Sequence, residues 1–129
     1  MDALKTLAAV AVLVGPLLGS ALAQESQLDP SGTFVDEWGT TFTFSLCGDG
    51  TALCATLDVL EGESATEENL AYVGGQVVEA LPAGPNVWKG TIEAGSLSGD
   101  ATITQTGPDT IDIEGCRAIV CQTLTYTRQ

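Results

Sequence analysis

The sequence predicts an all-β protein, a small up-and-down antiparallel β-barrel of about eight strands with two local disulfides. Three observations lead there. Short stretches of alternating apolar and polar residues recur from Gly32 to Arg128, each bounded by Gly, Pro, Asn or Asp. Only the segment from Glu61 to Asn69 breaks that rhythm. Two cysteine pairs, Cys47 with Cys54 and Cys116 with Cys121, bracket short turns. Consecutive strands with one apolar face each suit a closed barrel, which leaves no unpaired edge; an open sandwich of the same strands is the competing arrangement.

Along the chain, Lys5 precedes an apolar run from Leu7 to Leu18, followed by Gly19-Ser20 and Ala21-Leu22-Ala23. Residues 1–23 therefore read as a secretory signal peptide with an A-x-A cleavage site. A membrane anchor is the other reading, but Gly15-Pro16 interrupts the run and small residues end it. The residue immediately after Ala23 is Gln24 rather than cysteine, which argues against a bacterial-type lipid anchor. The expected compartment is the periplasm or the exterior, with no membrane insertion after cleavage. Residues 24–31, polar and containing Pro30, are expected to be a flexible lead-in to a single domain over 32–129.

Gly32-Thr33-Phe34-Val35 is a first strand, turned by Asp36-Glu37-Trp38-Gly39 into a hairpin from Thr40 to Leu60. There Phe42, Phe44 and Leu46 alternate with Thr41, Thr43 and Ser45. The return strand offers Leu53, Leu57 and Val59. Gly48-Asp49-Gly50 tolerates the positive φ of a turn. Placing Cys47 directly opposite Cys54 sets Leu46 against Ala55, Phe44 against Leu57, Phe42 against Val59 and Thr43 against Asp58, around a six-residue loop. A four-residue loop makes the cysteines diagonal, farther apart than a direct pair. The spacing therefore favours the six-residue loop.

Ser64-x-x-Glu67 is the capping-box pattern for one or two helical turns through Tyr72. The acids Glu61, Glu63, Glu67 and Glu68 lack the ordered ligand spacing of a calcium loop and read as a solvated connection. Strand signals resume after Gly74-Gly75. Gln76 to Leu81 precedes a loop from Pro82 to Asn86, and Val87 to Ala94 places Trp88 and Ile92 on one face. Asp100 to Thr104 follows the turn from Gly95 to Gly99. Thr110 to Cys116 and Cys121 to Arg128 then form a last hairpin. With Cys116 opposite Cys121, Ile113 faces Leu124 and Ile111 faces Tyr126. In such a meander the two cysteine hairpins lie at opposite ends, so each cysteine pairs locally.

Composition excludes several chemistries. The chain has no histidine, which removes Ser-His-Asp catalysis and His-ligated zinc. Four cysteines in an exported chain read as two disulfides, because their spacings miss the usual zinc knuckle. Beyond residue 23, three basic residues stand against 16 acids, a net charge of −13 that repels nucleic acid and anionic lipid. Gly95-Ser96-Leu97-Ser98-Gly99 has Leu97 where a nucleophile elbow needs serine. The remaining acids alternate outward or sit in turns. No enzyme activity, metal or cofactor is expected.

G-T-F-V at residue 32, C-G-D-G-T-A-L-C-A-T-L-D-V-L at 47, W-K-G-T-I at 88 and G-C-R-A-I-V-C-Q-T-L-T-Y-T-R at 115 occur in that order. Together they resemble the bacterial family catalogued as domain of unknown function 2147, small exported proteins with a lipocalin-like barrel. The chain departs from the family at Phe34, Ala55, Tyr126 and the segment from Glu67 to Asn69. The family has no assigned reaction, so the resemblance implies fold and export rather than activity. In lipocalin-like folds an aromatic of the first strand meets an Arg of the last, which implies a barrel-end contact between Phe34 and Arg128.

Two functions follow as expectations. The first is non-enzymatic binding of a small hydrophobic ligand, with Phe42, Phe44, Leu57, Trp88, Ile92 and Tyr126 as the lining. The alternative is an envelope or extracellular protein-interaction module with a filled core, since eight strands enclose an interior just wide enough for side chains.

Overall fold

A computed structural model describes residues 28–129; the expected signal peptide and residues 24–27 lie outside them. The alternating stretches form strands β1 (Gly32–Val35), β2 (Thr41–Cys47), β3 (Ala52–Val59), β4 (Gln76–Gly84), β5 (Val87–Ile92), β6 (Gly99–Gly107), β7 (Thr110–Arg117) and β8 (Val120–Arg128). Each pairs antiparallel with the next, and β1 pairs with β8, so the sheet is a closed eight-stranded barrel. The interruption between β3 and β4 holds a 3-10 turn, Gly62–Ser64, and one short helix, α1 (Glu67–Leu70).

The connections sort to two ends. Turns β2–β3, β4–β5 and β6–β7 share one end with residues 28–31, called here the base. Connections β1–β2, β3–β4, β5–β6 and β7–β8 form the other end, the mouth. Both expected disulfides are present. Cys116 and Cys121 are register partners with Cα atoms 4.1 Å apart, and Ile113↔Leu124 and Ile111↔Tyr126 pair beside them.

The first hairpin differs from expectation. Cys47 pairs with Ala52 and Ser45 with Cys54, around a four-residue loop, so Cys47 and Cys54 are diagonal. Their Cα atoms nevertheless lie 5.9 Å apart, inside disulfide range. Strand twist is the reason: it draws one diagonal of a hairpin closer than flat-sheet geometry allows. The turn itself is set by Gly48 and Gly50, both at positive φ, with Gly50 N–H bonded to Cys47 O at 3.0 Å.

A β-bulge corrects the inward set. Phe42 pairs with Leu57 but Thr41 pairs with Val59, so Asp58 is an extra residue and the strand changes face there. Val59, expected inside, is 40% exposed, and Leu60 enters the core instead. Asp58 still meets Thr43, whose hydroxyl donates to its carboxylate at 2.5 Å. Leu46, although paired with fully buried Leu53, is also exposed. The expected loop from Pro82 is strand as far as Gly84, since Pro82 pairs with Trp88 and a second bulge absorbs the missing donor. The helix cap is Thr66 rather than Ser64: Asn69 N donates to Thr66 Oγ1 at 3.2 Å.

The base is sealed by two side chains. Trp88 Nε1 donates to Thr51 O at 2.9 Å, tying β5 to the β2–β3 turn. Arg128 lies with its guanidinium carbon 4.6 Å from the centre of the Phe34 ring. It also donates to Ser31 O at 2.6 Å, Asp29 O at 3.0 Å and Pro108 O at 2.8 Å. Of the lead-in expected to be flexible, residues 28–31 are therefore held: Leu28 N also bonds Asn86 Oδ1 and Asp29 O accepts from Gln105 Nε2. Gly32, at φ +133°, makes room, because a Cβ there would come within 2.5 Å of Arg128 Nη1.

Arg128→Ala is expected to lower the unfolding free energy by about 2–3 kcal/mol, from the lost cation–π contact and the lost charge-assisted hydrogen bonds. Ser31 O and Pro108 O lose their Arg128 donor, while Asp29 O keeps Gln105 Nε2. Arg128→Lys recovers only part, since an ammonium cannot reproduce the planar fork. Urea unfolding of the three proteins checks this. By contrast, the exposed Asp109 partner at 3.1 Å accounts for little of the loss.

Candidate functional site

The base half of the barrel is filled. Phe34, Phe44, Leu53, Ile103 and Ile111 are fully buried, and Phe34 meets Phe44 edge-on at 5.6 Å between ring centres. Phe42 meets Phe44 at 5.9 Å with the rings tilted by 39°, and meets Tyr126 edge-on at 5.4 Å. Above that aromatic layer the interior opens into a pocket of about 510 Å³ at the mouth.

The pocket exists because inward side chains run out. In β7 the inward positions are Ile111, Ile113 and then Gly115, and a Cβ at Gly115 would meet nothing within 4 Å. Ala94 and Gly99 are also small residues of its wall. Its floor is Phe42, Leu57, Ile92, Ile113, Leu124 and Tyr126, with Leu60 brought in by the β3 bulge. The rim carries Trp38, Glu61, Glu63, Ser96, Leu97, Asp100 and Arg117.

Of the six expected lining residues, Phe42, Leu57, Ile92 and Tyr126 face this pocket. Phe44 lies in the filled half and Trp88 packs at the base, so neither reaches it. The sequence reading missed Asp36, Trp38, Leu60, Gly115 and Arg117. Gly115 was legible as a gap in an alternating strand. Asp36 and Trp38 sit in a turn whose aim depends on the barrel.

Asp36 is only 8% exposed. Its Oδ1 accepts from Trp38 N and Thr40 N, both at 2.9 Å, which holds the β1–β2 turn over the mouth. The Tyr126 hydroxyl is raised well above its ordinary value of 10.0, first by burial and then by the Asp36 charge. The opposite rim is stapled by Asn69. Its Nδ2 donates to Ser64 O and Ser96 Oγ, both at 2.9 Å, and its Oδ1 accepts from Ser96 N at 2.9 Å. Gly95, at φ +62°, lets this amide approach, because a Cβ there would strike Asn69 Oδ1. The serines of the elbow-like stretch are thus occupied: Ser96 by Asn69, and Ser98 by Ala94 N at 3.1 Å. Among the described residues no group of three or more Cys, Asp or Glu is placed to hold a metal ion. Comparison with protein-family models, curated proteins and solved structures finds no match to this chain.

Asn69→Ala is expected to cost about 1–2 kcal/mol in urea unfolding, because it removes a buried amide and its hydrogen bonds to half-buried Ser64 and exposed Ser96, whose own polar groups can turn to water. Tyr126 makes a second expectation. Above pH of about 10 the unfolded chain releases the phenolic proton and the folded chain keeps it, so stability falls as pH rises there. Unfolding of wild type and Tyr126→Phe across alkaline pH isolates this slope, which the variant lacks.

Proposed function

We propose that the protein is an exported, non-enzymatic binding protein that takes a small apolar ligand into the mouth pocket. The observation that carries this is the pocket of about 510 Å³ above a sealed base, with an apolar and aromatic floor. That volume lies in the range of small-molecule sites, about 300–1,000 Å³. Each methylene removed from water there contributes about 0.8 kcal/mol. Two disulfides and the absence of any free cysteine among the described residues support an oxidising compartment, periplasmic or secreted. The barrel is the fold that the resemblance of the cysteine hairpins to domain of unknown function 2147 implies, and export is the other property that resemblance implies.

A protein-interaction role is the second reading. Ile119 and Val120, at the β7–β8 tip, are 96% and 71% exposed, and Trp38 at the same end is 60% exposed. Such residues at one end suit an apolar partner surface. The filled core expected with that role fits poorly with the mouth pocket.

Titration with decanol tests the first reading. Trp38 at the rim is expected to change emission saturably, while Trp88 at the base provides the signal that stays constant in Trp38→Phe. Gly115→Leu fills the pocket where a side chain has open space, and is expected to weaken decanol at least about tenfold with unchanged urea unfolding. Unaltered affinity in Gly115→Leu would place binding elsewhere.

A further inference from the structure

We propose that the ligand of this pocket is cationic: an amphipathic amine whose ammonium group meets Asp36 while its apolar body lies on the Phe42–Leu57–Tyr126 floor. This rests on the pocket reading above and adds the charge of the ligand.

The first argument is an unfinished carboxylate. Asp36 is more than nine-tenths buried and faces the pocket. Both hydrogen bonds to its side chain end on Oδ1. Among the described residues nothing donates to Oδ2, although an ionised carboxylate offers about four acceptor sites. Oδ2 is not sealed from solvent space, since the only fully enclosed side-chain oxygen lacking a partner among the described residues is Gln105 Oε1, at the base. The second acceptor oxygen of Asp36 is therefore open to an incoming donor.

The second argument is the missing counter-ion. A buried charge is costly unless paired. The one ion pair among the described residues joins Arg128 and Asp109 at the opposite end. Arg117 lines the mouth but makes no ion pair there. A ligand ammonium fits that vacancy in the charge balance, and a charge-assisted N–H···O bond is roughly twice as strong as a neutral one.

The walls and the wider field agree. Phe42, Tyr126 and Trp38 border the same space, and aromatic side chains are the apolar groups best suited to neighbour a cation. The other charged groups of the pocket are Glu61, Glu63 and Asp100 against Arg117, so with Asp36 the mouth holds four carboxylates and one guanidinium. Such a cleft concentrates cations and repels fatty-acid-like anions.

The test compares decylammonium, decanol and decanoate, which share one apolar chain and differ in charge, by Trp38 emission at physiological ionic strength. Decylammonium is expected to bind about tenfold tighter than decanol, with decanoate weakest. Asp36→Asn keeps an amide oxygen for the Trp38 and Thr40 N–H groups, and is expected to abolish the ammonium-to-decanol ratio. Glu114→Gln, the same charge change on the outer wall, is expected to preserve it, which separates the site from general attraction to an acidic protein. Equal binding of decylammonium and decanol, tighter decanoate, or a preference that survives Asp36→Asn overturns the assignment while leaving the pocket reading intact. No saturable response to any of the three overturns the pocket reading itself.

Discussion

Closure of the barrel between β1 and β8 is the constraint on which everything else rests. β1 has four residues, and only Phe34 and Val35 pair with β8. So short a ladder contributes few hydrogen bonds to the seam. Arg128 reinforces it by stacking on Phe34 and gathering the carbonyls of Asp29, Ser31 and Pro108. The lead-in thereby becomes a floor, and the base half can be filled with aromatic side chains without leaking.

A sealed, well-packed base frees the mouth from packing duty. Fully buried Phe34, Phe44 and Leu53 supply the apolar burial that a domain of this size needs. At the mouth, Gly115 and Ala94 leave unfilled the space that larger side chains would occupy. An empty pocket forfeits dispersion contacts, so the rim is held by polar means instead. Asn69 ties α1 to the turn before β6, and Asp36 ties the β1–β2 turn to itself. Polar groups set the shape of the opening and apolar groups set its depth.

The elements show where local pattern suffices. The β7–β8 hairpin was legible residue by residue, because an uninterrupted alternation and directly opposed cysteines leave a single register. The β2–β3 hairpin was legible as strands and as a disulfide but not in register. Its outcome depends on twist and on the bulge at Asp58, and neither has a signature in the period-2 pattern. The same bulge exchanges Val59 for Leu60 in the core. Likewise Phe44 and Trp88 carry the same inward signal as Phe42 and Tyr126, and only their height along the barrel axis separates filler from pocket wall.

What the sequence alone determined was the all-β meander, its strand order, the two disulfides and the absence of histidine, since each follows from residues near one another in the chain. Closure into a barrel rather than a sandwich rests on Phe34 and Val35 pairing with Arg128 and Thr127. Only the tertiary structure decided that the barrel is a cup, sealed at one end and open at the other. It also decided that Asp36, from a surface-looking turn, is buried beside Tyr126 from the last strand. The physical reason is that alternation reports which face a side chain takes. Depth inside the barrel is set by strand stagger and by contacts between residues far apart in sequence, which no local pattern encodes.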